Sequence, residues 1–255
     1  MAGEPNAPAA LEPGVSQRVR DLLDDASASR DTDPGNARQL ALQARVLARA
    51  ESDRAGEAEA LYRLASLAHG AGDADDAFAL AMESAELAAT AGVPLIEAWA
   101  VHLMGIVHYQ ASNFSEALEH CLRALELHRT TDHQIDEGNI LNTVAAVYHS
   151  MGDNDRAIVT YESALAVTEP LGRHGFAAVV LGNIARIRAS RSEYLPAVSL
   201  GRRAVDLARE HSPDIVSSLL ADLAEAYMGL ADHVKAAECF TEARRVMQER
   251  SDQGI

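Results

Sequence analysis

The chain is predicted to be all-α, a solenoid of helix-turn-helix repeats, and three observations predict it. Alanines at 77, 117, 157, 197 and 236 recur at separations of 40, 40, 40 and 39 residues, and a fixed period of that length marks a stack of similar units, each packed only on its neighbours. Between Gly138 and Ala164, apolar or small residues fall at helical spacing on both sides of a turn, Ser150-Met151-Gly152-Asp153. Aromatic residues make up only 4 % of the 255 positions. The apolar share is dominated by Ala and Leu, which suits closely packed helices and gives a sheet little to build on.

Counting Gly138 as position 1, apolar residues stand at positions 4, 7 and 11 (Leu141, Val144, Tyr148), with Tyr161 at 24. Small residues stand at 8, 20 and 27 (Ala145, Ala157, Ala164). Two antiparallel helices approach closely only where one shows a small side chain to the other. This pattern resembles the tetratricopeptide repeat, and the resemblance implies a right-handed superhelix of about five and a half to six repeats. It covers residues 36 to 250.

Residues 1–14, with Pro5, Pro8 and Pro13, offer nothing to bury and are expected to be disordered. From Val15 to Ile255 the chain reads as one solenoid with units at 15–53, 54–93, 94–133, 134–173, 174–212 and 213–250. The first unit is degenerate, with Ala37, Ala41 and Ala44 at the spacing of positions 20, 24 and 27. The other first helices are anchored by Leu61, Leu64, Ala65 and Ala68; by Val101, Met104, Gly105 and His108; by Leu181, Ile184, Ala185 and Arg188; and by Leu220, Leu223, Ala224 and Tyr227. Arg188 departs from the apolar pattern. Positions 15 and 16 read Gly72-Asp73, Ser112-Asn113, Gly152-Asp153, Ser192-Glu193 and Ala231-Asp232. A small residue permits a tight turn, and the acidic or amide side chain is expected to cap the following helix.

The formal charge of −16, without a basic cluster, argues against nucleic acid and anionic membrane as direct ligands. Of 22 basic residues only Lys235 is a lysine, a bias expected of GC-rich bacterial coding. Cys121 and Cys239 sit three units apart on inward-packing helices and are expected to be reduced. No export signal or spanning apolar run is present, so a cytoplasmic location is expected. No Walker, Rossmann, nucleophile-elbow or HExxH sequence occurs, and no enzymatic site or cofactor is expected within these residues. The histidines of the chain are not spaced to share a metal ion.

Function is therefore expected on the face formed by positions 2, 5, 9 and 12 of the first helices, which helical spacing places on one concave stripe. The candidate residues are Tyr62, His69, Trp99, His102, Tyr109, Asn139, Asn142, His149 and Arg186. Aromatic rings supply contact area, and the amides and imidazoles could hydrogen-bond a peptide backbone. The expected partner is a protein or peptide. The basic clamp with which members of the family grip a terminal carboxylate is absent, since position 5 reads Tyr62, His102, Asn142, Gly182 and Ala221.

Forty-residue repeats of this kind resemble the amino-terminal sensor regions of bacterial diguanylate cyclases and of large actinobacterial transcriptional regulators. That resemblance implies a regulatory role and a catalytic or output domain beyond Ile255, since no GGDEF-type sequence lies within the chain. A stand-alone scaffold is the alternative. So is a homodimerising module that associates through an apolar end near Leu219, Leu220 and Leu223 or through the final helix.

Overall fold

The computed structural model describes residues 15–131 and 134–252; the expectation for residues 1–14 lies outside them. Among the described residues there are α-helices, two short 3-10 turns at Glu169–Leu171 and Pro213–Ile215, and no strand. The helices come in pairs: α1 Gln17–Ser29 with α2 Pro34–Glu51, α3 Arg54–Gly70 with α4 Ala74–Ala91, and α5 Pro94–Gln110 with α6 Phe114–His128. They continue as α7 Gln134–Ser150 with α8 Asn154–Thr168, α9 His174–Ser190 with α10 Tyr194–His211, and α11 Val216–Gly229 with α12 His233–Asp252. The fold is all-α and built of tetratricopeptide-like helical hairpins.

The turns inside the hairpins have a common cause. Position 15 takes the left-handed backbone conformation in the five hairpins from α3–α4 onward: φ is 83° at Gly72, 61° at Ser112, 83° at Gly152, 62° at Ser192 and 58° at Ala231. A bulky or branched side chain there would be strained, which is why only Gly, Ser and Ala occur. The next residue caps the second helix. Asp73 accepts from Asp76 N–H, Asp153 from Arg156 N–H and Asp232 from Lys235 N–H.

Two expected caps fail, because neither Asn113 nor Glu193 makes a side-chain cap bond. At Glu193 the reason is competition: its carboxylate is taken by Arg188 at 2.5 Å and by Arg191 at 3.1 Å. The same pair explains how Arg188 occupies an otherwise apolar position. A half-buried guanidinium needs a bonded anion, and Glu193 provides it.

The chain divides into two compact units, one ending at Met151 and one beginning at Gly152. In the first, each helix from α1 to α6 packs on its successor, and α1 touches α3, α3 touches α5 and α5 touches α7. In the second, α8 through α12 pack in sequence and α9 touches α11. The small residues set the spacing. Ala77, Ala117, Ala157, Ala197 and Ala236 are all buried, and a Cβ added to Gly105 would lie 2.5 Å from Cys121 Sγ. Cys121 and Cys239 are both buried and free.

The leucines near 220 correct one expectation. Leu219, Leu220 and Leu223 are buried and cannot form an apolar open end, because α11 turns them towards α9 and α10. Leu219 fills the space beside Gly182, and Leu223 the space beside Gly201. Among the described residues no helix is long and apolar enough to cross a membrane.

Candidate functional site

Since α3, α5 and α7 touch in succession, positions along one face of each become neighbours across the repeat. Tyr62 of α3 and Trp99 of α5 meet with ring centroids 5.5 Å apart and planes tilted by 32°. The Arg63 guanidinium lies 5.8 Å from the Tyr62 ring centroid and 5.9 Å from that of Trp99. It is held there by Glu59 at 2.9 Å. A cation over two rings adds electrostatic attraction to the buried area. Burial also raises the Tyr62 pKa above its ordinary value, Arg63 opposing the shift.

The Trp99 indole N–H donates to Asp136 Oδ2 at 2.8 Å. His102 Nε2 lies 2.9 Å from Thr143 Oγ1, whose own proton goes to the Asn139 carbonyl at 3.2 Å. The hydroxyl has one proton, so His102 Nε2 must be the donor, which leaves Nδ1 as the acceptor of the ring. Burial, reinforced by His128, pushes the His102 pKa down to about 4, so the ring is neutral near pH 7. His69 Nε2 pairs with Gln110 Oε1 at 3.1 Å, and Ser150 Oγ donates to the Tyr109 hydroxyl at 3.4 Å.

His69, His102 and Tyr109 thus each reach a residue 41 positions later. The rungs tie one first helix to the next and lock the side chains that line the face. The sequence reading treated these groups as available to a ligand's backbone; the structure shows one polar atom of each already engaged. The sequence also missed Arg63, Asp136 and Thr143; a search for complementary polar residues at offsets of 37 and 41 finds Asp136 and Thr143, and Arg63 shows as the residue four after Glu59.

The remaining candidates divide. Asn139 and His149 lie half-buried on α7 and are engaged with neighbours. Asn142 Oδ1 is shielded from solvent and has no hydrogen-bond partner among the described residues. Arg186 belongs to α9 in the second compact unit, where it is exposed and donates to Asn183 Oδ1 at 3.0 Å. Its charge partly offsets the burial that raises the Asp222 pKa.

A histidine stack also escaped the sequence reading. His108 and His120 lie parallel, 5.2 Å between centroids at 8°, with Phe78 edge-on to His108 at 5.0 Å. Burial, then repulsion from His108, lowers the His120 pKa. Among the described residues no group of three or more His, Cys, Asp and Glu is placed to hold a metal ion.

A family model described as the tetratricopeptide repeat matches residues 96–169 and 136–210. That stretch, residues 96–210, carries tetratricopeptide repeats. Among curated relatives, a photosystem I assembly protein Ycf3 of Prochlorococcus marinus is 39 % identical over 69 residues, 27 % of this chain and 38 % of that protein. The regulatory protein AfsR of Streptomyces griseus is 29 % identical over 164 residues, 63 % of this chain and 16 % of that one. The repeat chain therefore spans well under half the length of these relatives.

Solved structures show the same fold. BtubC from P. vanneervenii superposes with a TM-score of 0.73 at 20 % identity, over 92 % of this chain and 93 % of that one. A signal transduction ATPase with a tetratricopeptide repeat sensor from Pyrococcus horikoshii gives 0.76 at 18 % identity, over 90 % and 36 %. A Rap protein complexed with competence and sporulation factor gives 0.66 at 15 % identity, over 92 % and 76 %.

Proposed function

We propose that this tetratricopeptide-repeat chain is a protein-interaction module that binds a peptide or partner helix along the groove face of α3, α5 and α7. Tyr62, Trp99, His102 and Asn142 would be the main contacts, with His69, Tyr109, Asn139 and His149 flanking them. The observation that carries the reading is the pre-set aromatic pair of Tyr62 and Trp99, with ring centroids 5.5 Å apart. The locked rungs reduce the side-chain entropy lost on binding.

The role is that of a regulatory sensor, cytoplasmic and bacterial, in the amino-terminal part of a larger signalling protein such as a diguanylate cyclase or a transcriptional regulator. The Rap protein solved with a peptide factor, the sensor-bearing ATPase and the regulatory protein AfsR support this assignment. Occupancy of the groove would bias an attached output domain by favouring one arrangement of the repeats.

A selection from a display library of 15-residue peptides tests the groove. Peptides enriched on the wild-type chain should bind with dissociation constants on the order of micromolar, and Trp99→Ala or Tyr62→Ala should weaken them about 30-fold, the loss typical of an aromatic anchor. Peptides that bind both variants as well as wild type would overturn the assignment, as would a selection that enriches nothing.

A further inference from the structure

The face formed by positions 2, 5, 9 and 12 of α3, α5 and α7 is nearly free of charge in a heavily charged chain. Charged residues make up 24 % of the sequence, so twelve positions, four on each helix, would carry about three at that average. With histidine neutral, Glu59 is the one formal charge among them. It is not offered to a ligand: Glu59 accepts from Arg63 at 2.9 Å, with the two side chains 8 % and 19 % exposed. Asp136, in the first turn of α7, is likewise engaged, accepting the Trp99 indole N–H at 2.8 Å.

Position 9 shows the contrast within the repeats. It holds Ser66, Ile106 and Ala146 on this face, all half-buried, but the exposed Arg186 on α9 and the exposed Glu225 on α11. The second helices of the first unit do carry charge, where Arg45 pairs with Glu83 at 2.6 Å and Arg38 with Asp76 at 3.7 Å. Loss of charge together with gain of aromatic residues is the compositional mark of the buried centre of an interface.

We propose, taking α3, α5 and α7 as the binding face assigned above, that its ligand is a peptide segment whose contacting side chains are uncharged and aromatic or branched aliphatic. Trp99, His102, Ile106 and Tyr109 follow one another at spacings of three, four and three, one stripe down the middle helix of the face. Such side chains gain apolar contact along it. A Lys, Arg, Asp or Glu at the same place would give up its hydration and meet no free counter-charge among the described residues of the face. Acidic segments would in addition be repelled by the net charge of −16.

The same display selection, run at about 0.05 and about 0.5 M NaCl, reads the ligand class. Clones that lose binding to Trp99→Ala mark the groove, and their alanine-sensitive positions should hold Phe, Tyr, Trp, Leu, Ile or Val. Synthetic peptides from those clones should have dissociation constants that agree within about twofold at the two salt concentrations, since no ion pair is there to be screened. A carboxylate placed at position 9, as Ile106→Glu or as Ser66→Glu, should weaken them at least about tenfold and turn a fresh selection towards Lys and Arg; circular dichroism confirms that each variant is folded. Groove-bound clones anchored by charged residues, with affinity falling severalfold in high salt, would overturn the proposal and leave the groove assignment standing. A folded position-9 variant that selects the same clones as wild type would overturn it too. Clones that bind Trp99→Ala as well as wild type, or a selection that enriches nothing, would overturn both.

Discussion

Replacing His102 with glutamine should make the protein less sensitive to acid. The folded ring has a pKa near 4 against 6.5 in the unfolded chain, because burial and the nearby His128 disfavour the imidazolium. The direction follows from proton uptake. Above pH 6.5 both states are neutral and nothing is lost. As pH falls below 6.5 the unfolded chain takes a proton that the folded chain refuses, and stability drains away until about pH 4.

The difference between 6.5 and 4 sets a ceiling of about 3.4 kcal/mol, of which about 2 kcal/mol is reached by pH 5. The ring keeps some contact with solvent, which reduces the expected effect at pH 5 to about 1–2 kcal/mol. Glutamine can still donate to Thr143 but does not titrate. Urea unfolding followed by the fluorescence of Trp99, the single tryptophan, should show wild type losing about 1–2 kcal/mol more than His102→Gln between pH 7.5 and pH 5. The remaining histidines are common to both proteins and cancel in the comparison. Equal losses would refute the burial argument.

Gly105→Ala should destabilise the first unit in spite of the better helix propensity of alanine, since overpacking costs about 1–3 kcal/mol and the new methyl meets Cys121 Sγ at 2.5 Å. Cys121→Ala in the same background should recover part of that loss, and strictly additive effects in urea melts would contradict the contact. Tyr161→Ala, at a site 1 % exposed, should cost about 3–5 kcal/mol by leaving a ring-sized cavity; a loss under about 1 kcal/mol would show that α8 and α9 close over the gap. Burial pushes the Cys121 thiol up to about 12 and raises that of Cys239 as well. A thiol reagent at pH 8 should therefore label neither until urea is added, and rapid labelling in buffer would show that α6 or α12 opens.

Much of the fold was legible because its determinants are local and periodic. Ala117 and Ala157 had to be small where paired helices touch, and the turn residues Gly72 and Ser192 had to tolerate a left-handed backbone. Both demands write themselves into sequence at fixed intervals. The face was legible only as a stripe. Which polar atoms on it are spent depends on how far one helix is displaced along the next, and that displacement pairs His102 with Thr143 at 41 residues where the repeat itself runs at 40. Glu193 was misjudged for a related reason, since its competitor Arg188 reaches it around the turn. Leu219 and Leu223 were placed at an open end because an apolar run carries no sign of what covers it; Gly182 and Gly201 leave the room they fill.

The location of the bound peptide tests the central claim most directly. A photoreactive benzoylphenylalanine at Ile106, half-buried on the α5 face, should crosslink a display-selected peptide. The same group at Val159, which is 63 % exposed on the second helix of its hairpin, should not. Crosslinking from Val159 with none from Ile106 would put the ligand elsewhere on the repeats and contradict the account.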